Sequence, residues 1–151
     1  MGSETVNVVI DLQASYKMLS TPWGYSETYA LLRRRQNDKR IDNDKRIDPA
    51  FFRSAVSLLR SDLLGSPNFQ LLTVTDADII GSITCIQKYS LNSTDAALLA
   101  TLLRYASVTG ETCVLVAADG RFCRAAQAEG LEAINPEWLS ADAVPDFLPA
   151  L

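Results

Sequence analysis

The chain has 151 residues, 48% of them hydrophobic, with 18 acids against 14 bases and a net charge of -4. That length and apolar content support a single domain with its own core and exclude a disordered chain, whose signature is low hydrophobicity with high charge. The longest unbroken apolar run, Cys113 to Ala118, is far short of the roughly 18 residues of a membrane-spanning helix, so no membrane partner is expected.

Residues 1–5 read as an N-terminal extension. Val6-Asn7-Val8-Val9-Ile10 is rich in β-branched residues and predicts a buried strand. Tyr16 to Ser20 predicts a second, short strand, and Pro22 and Ser26 lead into a helix from about Tyr25 to Gln36. Asn37 to Asp42 is copied unchanged as Asn43 to Asp48, a repeat too short for a solenoid, so 37–48 reads as a duplicated, solvated linker. Asp48-Pro49 combines a capping side chain with a proline at the first helical position. The helix it opens carries Phe51, Phe52, Ala55, Val56, Leu59 and Leu63 on one face, with Phe51-Phe52 expected in the core, until Gly65-Ser66-Pro67 breaks it. Phe69 to Val74 predicts a strand, and Asp76 to Tyr89 a helix with Ile79, Ile83 and Ile86 on one face. Ser93 caps an apolar helix to about Ser107. Thr112 to Ala117 is the clearest strand, Asp119 caps a helix ending at Gly130, and Glu132 to Ile134 is a last strand before Pro136. Residues 137–151 form a C-terminal tail. Strands alternating with helices imply an α/β fold with a mainly parallel sheet.

The chain contains no histidine, which excludes Ser-His-Asp and Cys-His catalysis and the common zinc sites. Cys85, Cys113 and Cys123 are odd in number and show no CxxC spacing, against a disulfide framework; their apolar surroundings make them core residues. The first residues lack the basic-then-apolar layout of a secretory leader, so the expected location is the cytoplasm. Seven of the fourteen bases fall between Arg33 and Arg46, a local positive stretch that suits either a solvated helix end or contact with phosphates.

Catalysis in such a chain must use carboxylates, lysine, hydroxyls or an oxygen-bound metal. In open α/β sheets ligands bind beyond the carboxyl ends of the strands. Asp11 and Asp119 each follow a predicted strand; Asp95 and Glu27 each lie in the first turn of a predicted helix. Together they suit an oxygen cage for Mg²⁺ or Mn²⁺. Each also has an ordinary structural role open to it: Asp119 as a helix cap, Asp95 as compensation of a helix dipole, Asp11 as a turn residue, Glu27 as a surface acid.

The surroundings of these acids carry a resemblance. Tyr89-Ser90-Leu91-Asn92-Ser93-Thr94-Asp95-Ala96-Ala97-Leu98-Leu99-Ala100 resembles the Leu-x-x-x-Asp-Ala-x-x-x-Ala segment of PIN-domain nucleases. Leu115-Val116-Ala117-Ala118-Asp119-Gly120-Arg121-Phe122, with Ala125-Ala126, Glu129-Gly130-Leu131 and Asn135-Pro136, is similar to that family's closing motif. Val9-Ile10-Asp11 is similar to its opening strand and acid. Thr21-Pro22 through Ser26-Glu27-Thr28, running on to Leu31-Leu32-Arg33-Arg34-Arg35, is similar to its second acidic motif. The four motifs stand in the family's order and cover Val8 to Pro136. The resemblance implies a three-layer α/β/α sandwich, with Asp11, Glu27, Asp95 and Asp119 as catalytic residues holding Mg²⁺ or Mn²⁺. It further implies cleavage of single-stranded RNA by a metal-activated water. Because most small bacterial members are VapC-type toxins, it also implies a cognate antitoxin and a homodimer.

Two departures from the family stand out. Ala117 replaces the Thr or Ser usual two residues before the last acid, removing a supporting hydroxyl. Leu12 to Ser15 are also too few for the crossover helix that parallel strands require, so that helix is missing from the sequence as written. These departures favour the competing expectation, a catalytically silent PIN module that binds RNA or a protein. A phosphotransfer domain is the third reading and the weakest, because Gln13 breaks the Asp-x-Asp pattern and no glycine-rich phosphate loop is present.

Overall fold

The computed structural model describes residues 2–11, 16–37 and 46–147. Its contacts divide the chain into two units, Tyr16–Thr73 on the one hand and Met1–Ser15 with Val74–Leu151 on the other, each of which is described by itself.

In the unit of residues 16–73, β1 (Met18–Ser20) pairs in parallel with β2 (Phe69–Leu71), in the register Met18↔Phe69, Leu19↔Gln70 and Ser20↔Leu71. The chain between them forms α2 (Pro22–Asn37) and α3 (Pro49–Arg60), the latter continuing as a π-helical turn over Ser61–Gly65. The two helix starts are built as their sequences dictate. Thr21 accepts a hydrogen bond from the Gly24 amide at 3.3 Å, and Asp48 accepts from the amides of Ala50 and Phe51 at 2.7 and 2.8 Å. Tyr29 meets Phe52 edge to face at 5.8 Å, with the Arg33 guanidinium 5.6 Å from the same ring. The expectation that Phe51-Phe52 is core is corrected: Phe52 is half-buried, but Phe51 is 56% exposed. Neither α2 nor α3 holds a buried residue, since a two-stranded sheet is too narrow to cover the apolar faces of both helices. Residues 38–45, most of the duplicated linker with its Lys39, Arg40 and Lys45, lie outside the described residues.

The larger unit is organised around α4 (Asp76–Tyr89) and α5 (Ser93–Thr109), which pack on each other. A capping box starts α4: Asp78 donates its amide to the Thr75 hydroxyl, and its carboxylate accepts from the Thr75 amide at 2.8 Å. The same carboxylate receives Arg104 of α5 in two hydrogen bonds, at 2.7 and 3.0 Å. This pairing turns Asp78, Ser82 and Cys85 inward, so Ile79 and Ile83 face solvent although they share a helix face. Asn92, not Ser93, caps α5, accepting from the Asp95 amide at 2.8 Å.

Parallel strands β3 (Val114–Val116) and β4 (Glu132–Ile134) flank α6 (Gly120–Ala128), a βαβ connection. Gly130, at φ 88°, makes the left-handed turn out of α6 that its lack of a side chain permits. Cys85, Leu91, Ala96, Leu99, Phe122, Cys123, Ala125, Ala126 and Ala133 form the core, and Cys113 is buried as well.

Residues 6–10 are not a strand. They belong to α1 (Gly2–Asp11), in which Thr5 is fully buried and donates its hydroxyl to the Leu139 carbonyl at 2.8 Å. Among the described residues β3 and β4 pair only with each other, so no ladder is offered to this β-branched run. A helix closes its own backbone hydrogen bonds, and docking of Thr5 overrides the local strand preference. Gly2 to Thr5 are thus part of α1. Near the C-terminus, the 3₁₀ helix Ala141–Phe147 buries Val144 completely. Without a strand at 6–10, no crossover helix is needed before β1; residues 12–15 themselves lie outside the described residues. The described residues thus form a helix-rich α/β structure with two small parallel sheets, one in each unit. No helix among the described residues is long and apolar enough to cross a membrane.

Candidate active site

The connection between α4 and α5, the start of α6 and the turn after β4 enclose a cleft of about 480 Å³. Its lining includes Asn92, Asp95, Asp119, Arg121, Arg124 and Trp138. Local rules place each group. Ser90 ends α4 in the left-handed conformation, φ 53° and ψ 37°, and its carbonyl accepts the Arg121 guanidinium at 2.8 Å. Asn92 grips Asp95 twice, its carbonyl oxygen taking the Asp95 amide and its Nδ2 donating to Oδ2 at 2.7 Å. Asp119 ends the β3 connection as the N-cap of α6, and its Oδ1 accepts the amides of Arg121 and Phe122 at 2.7 and 2.9 Å.

The two carboxylates differ in their surroundings. Burial pushes the Asp95 carboxyl above the ordinary aspartate range; the Asn92 hydrogen bond opposes this, and the nearby Asp119 charge adds to it. Asp119 is held below the ordinary range by the Phe122 and Arg121 amides, with the Arg121 and Arg124 charges contributing in the same direction. Among the described residues, Asp95 Oδ1 and Asp119 Oδ2 accept no hydrogen bond. These are hard oxygen donors of the kind Mg²⁺ takes, and that ion commonly uses only one or two carboxylates, completing its shell with water and phosphate oxygens.

The four acids expected as one cage are thus brought together only in part. Asp95 and Asp119 share the cleft. Asp11 is exposed at the end of α1, does not line the cleft, and does not follow a strand. Glu27 belongs to the other unit, exposed on α2 beside Thr28, Ala30, Leu31 and Arg34. Among the described residues no group of three or more Asp, Glu, Cys or His could hold a metal ion. The cleft itself brings together two carboxylates, Asp95 and Asp119.

Asn92, Arg124 and Trp138 were not legible as site residues. Asn92 had a signal in Asn92-x-x-Asp95, the spacing of a cap and its third helical residue. Arg121 and Arg124 stand three apart at the start of α6 and so share a helical face. Nothing in the sequence placed Trp138 near them. No family model matches the chain, and no curated protein or solved structure matches it either.

Proposed function

We propose that the protein is a metal-dependent endoribonuclease, with Asp95 and Asp119 as its metal-binding carboxylates. The observation that carries this reading is their joint placement in one cleft beside Arg121 and Arg124. Two acids with unused oxygens next to two cations match what a phosphodiester and its metal need: hard ligands for the ion and positive charge for the phosphate oxygens. The four-motif resemblance to PIN-domain nucleases supports the same reading and extends it to an α/β/α sandwich. It also extends to single-stranded RNA as substrate and to a cytoplasmic VapC-type toxin that forms a homodimer and is neutralised by an antitoxin.

When bound, Mg²⁺ or Mn²⁺ would polarise the scissile phosphate and make a water acidic enough to attack at neutral pH. The chain's own contributions follow from the cleft. Asn92 fixes the Asp95 carboxylate. The α6 amides fix that of Asp119, so both donors are positioned before a ligand arrives. Arg121, tied to the Ser90 carbonyl, and Arg124 orient the phosphate and offset its charge.

The second reading, a silent RNA-binding module, is favoured by the absence of a three-acid group among the described residues and by Ala117. Incubation of an end-labelled single-stranded RNA with Mn²⁺, with Mg²⁺ and with EDTA separates the two. Fragments that appear with metal and vanish with EDTA support the nuclease; intact RNA in all three, with retained binding, supports the silent module.

A further inference from the structure

Trp138 is the largest exposed apolar side chain in the cleft, 63% exposed, yet its position is fixed from below. Its amide donates to the Asn135 carbonyl at 3.1 Å, and Asn135, itself buried, donates from Nδ2 to the Ala118 carbonyl at 2.9 Å. The turn that bears the indole is thereby anchored beside Asp119. One part of the ring lies directly on Gly120: a methyl group there would sit 2.2 Å from Cη2 and 2.6 Å from Cζ2, with Arg124 Nη1 at 3.3 Å. Glycine at position 120 is what lets the ring settle against the helix start. A large aromatic surface held against backbone, facing solvent and bordered by two arginines contributes little to the core. It has the composition of a single-strand binding groove, where cations follow the phosphates and aromatic rings stack the bases.

We propose that Trp138 is a base-stacking platform, so the cleft takes an unpaired nucleic-acid strand with one base on the indole and adjacent phosphates on Arg121 and Arg124. This rests on reading the cleft as a phosphodiester site, and it specifies the ligand as a strand whose bases are free to leave their stack. In a duplex the bases are already stacked and paired, and an A-form major groove is too narrow for the ring to enter.

The test uses binding without cleavage, in EDTA. The protein has two tryptophans, so in a Trp23→Phe background Trp138 is the sole indole fluorophore. An eight-nucleotide oligoadenylate should quench its emission, whereas an abasic oligomer of equal length and a duplex should not. Trp138→Ala should weaken oligoadenylate binding by about 5- to 150-fold, the range for loss of one stacked base, while leaving abasic binding unchanged. Trp138→Phe, which keeps an aromatic face, should recover most of that loss. Equal binding of the base-bearing and abasic oligomers by the unmutated cleft, or an unquenched indole, overturns the proposal whether or not Trp138→Ala folds. Quenching without metal-dependent cleavage would overturn the nuclease reading and leave the platform standing; cleavage without quenching would do the reverse.

Discussion

The pair Asp78–Arg104 offers a prediction whose size follows from the structure. The Asp78 side chain is 3% exposed and receives Arg104 at 2.7 Å, while that of Arg104 is 40% exposed. The Arg104 hydrogen bond is the main reason the carboxyl is lowered from 3.8 to about 2; burial opposes it, and the Thr75 amide and hydroxyl reinforce it. At roughly 1.4 kcal/mol per unit this corresponds to about 2.5 kcal/mol favouring the ionised folded form. Solvent screening of the half-open arginine reduces the pair's own share to about 1–2 kcal/mol. Arg104→Met alone would disturb other contacts of that side chain, so the quantity to measure is the coupling in a cycle of Asp78→Asn, Arg104→Met and the double variant. Urea unfolding at pH 7 should give about 1–2 kcal/mol, or roughly 2–8 °C in Tm. The carboxyl pKa is depressed in the folded state, so this stability is fully present above the unfolded value of 3.8 and is lost as pH falls towards 2. A coupling below about 0.5 kcal/mol, or one that does not shrink between pH 5 and pH 2, would refute the assignment of Asp78 as an ionised, paired core group.

Other consequences can be checked with the same preparations. Asp95 is raised, so the folded state favours its protonated form and stability falls as pH rises through that carboxyl's titration. Asp95→Asn should therefore increase Tm at pH 7 without metal and change it little at pH 3, while abolishing any Tm gain on adding Mn²⁺. In the Trp23→Phe background, Gly120→Ala should leave overall stability within about 1 kcal/mol, since the exposed ring contributes little to the core, but should red-shift Trp138 emission as the added methyl lifts the ring off the backbone. Asp48→Ala removes both cap hydrogen bonds of α3 and should cost about 1 kcal/mol by thermal or urea unfolding, with Asp48→Asn nearly neutral.

Local signals in the sequence translated well into structure. Asp48-Pro49 and Asp119 cap the helices they were expected to cap, α4 spans Asp76–Tyr89 as read, and β4 falls on Glu132–Ile134. These features depend on a side chain bonding an amide two or three residues away, which spacing alone reveals. Long-range features did not translate. Residues 6–10 have strand-forming side chains, yet whether they form a strand depends on a free ladder elsewhere, and β3 pairs only with β4 among the described residues. Phe51 lies on an apolar face that the narrow sheet leaves open. Asp95 and Asp119 meet at one cleft because both lie at elements whose starts are locally encoded. Asp11 was placed by a strand that is a helix, and Trp138 joined the cleft through a turn anchored to the distant Ala118 carbonyl.

The most direct test of the two-carboxylate site is the Mn²⁺-dependent rate of RNA cleavage by Asp95→Asn, Asp119→Asn and the double variant. Asparagine is a good helix cap, so Asp119→Asn keeps α6 capped and removes only the charge. If the two acids hold one ion, each single variant should lose nearly as much activity as the double, because groups that act as a unit are not additive. Independent, multiplicative losses, or cleavage that persists in both single variants, would contradict the account.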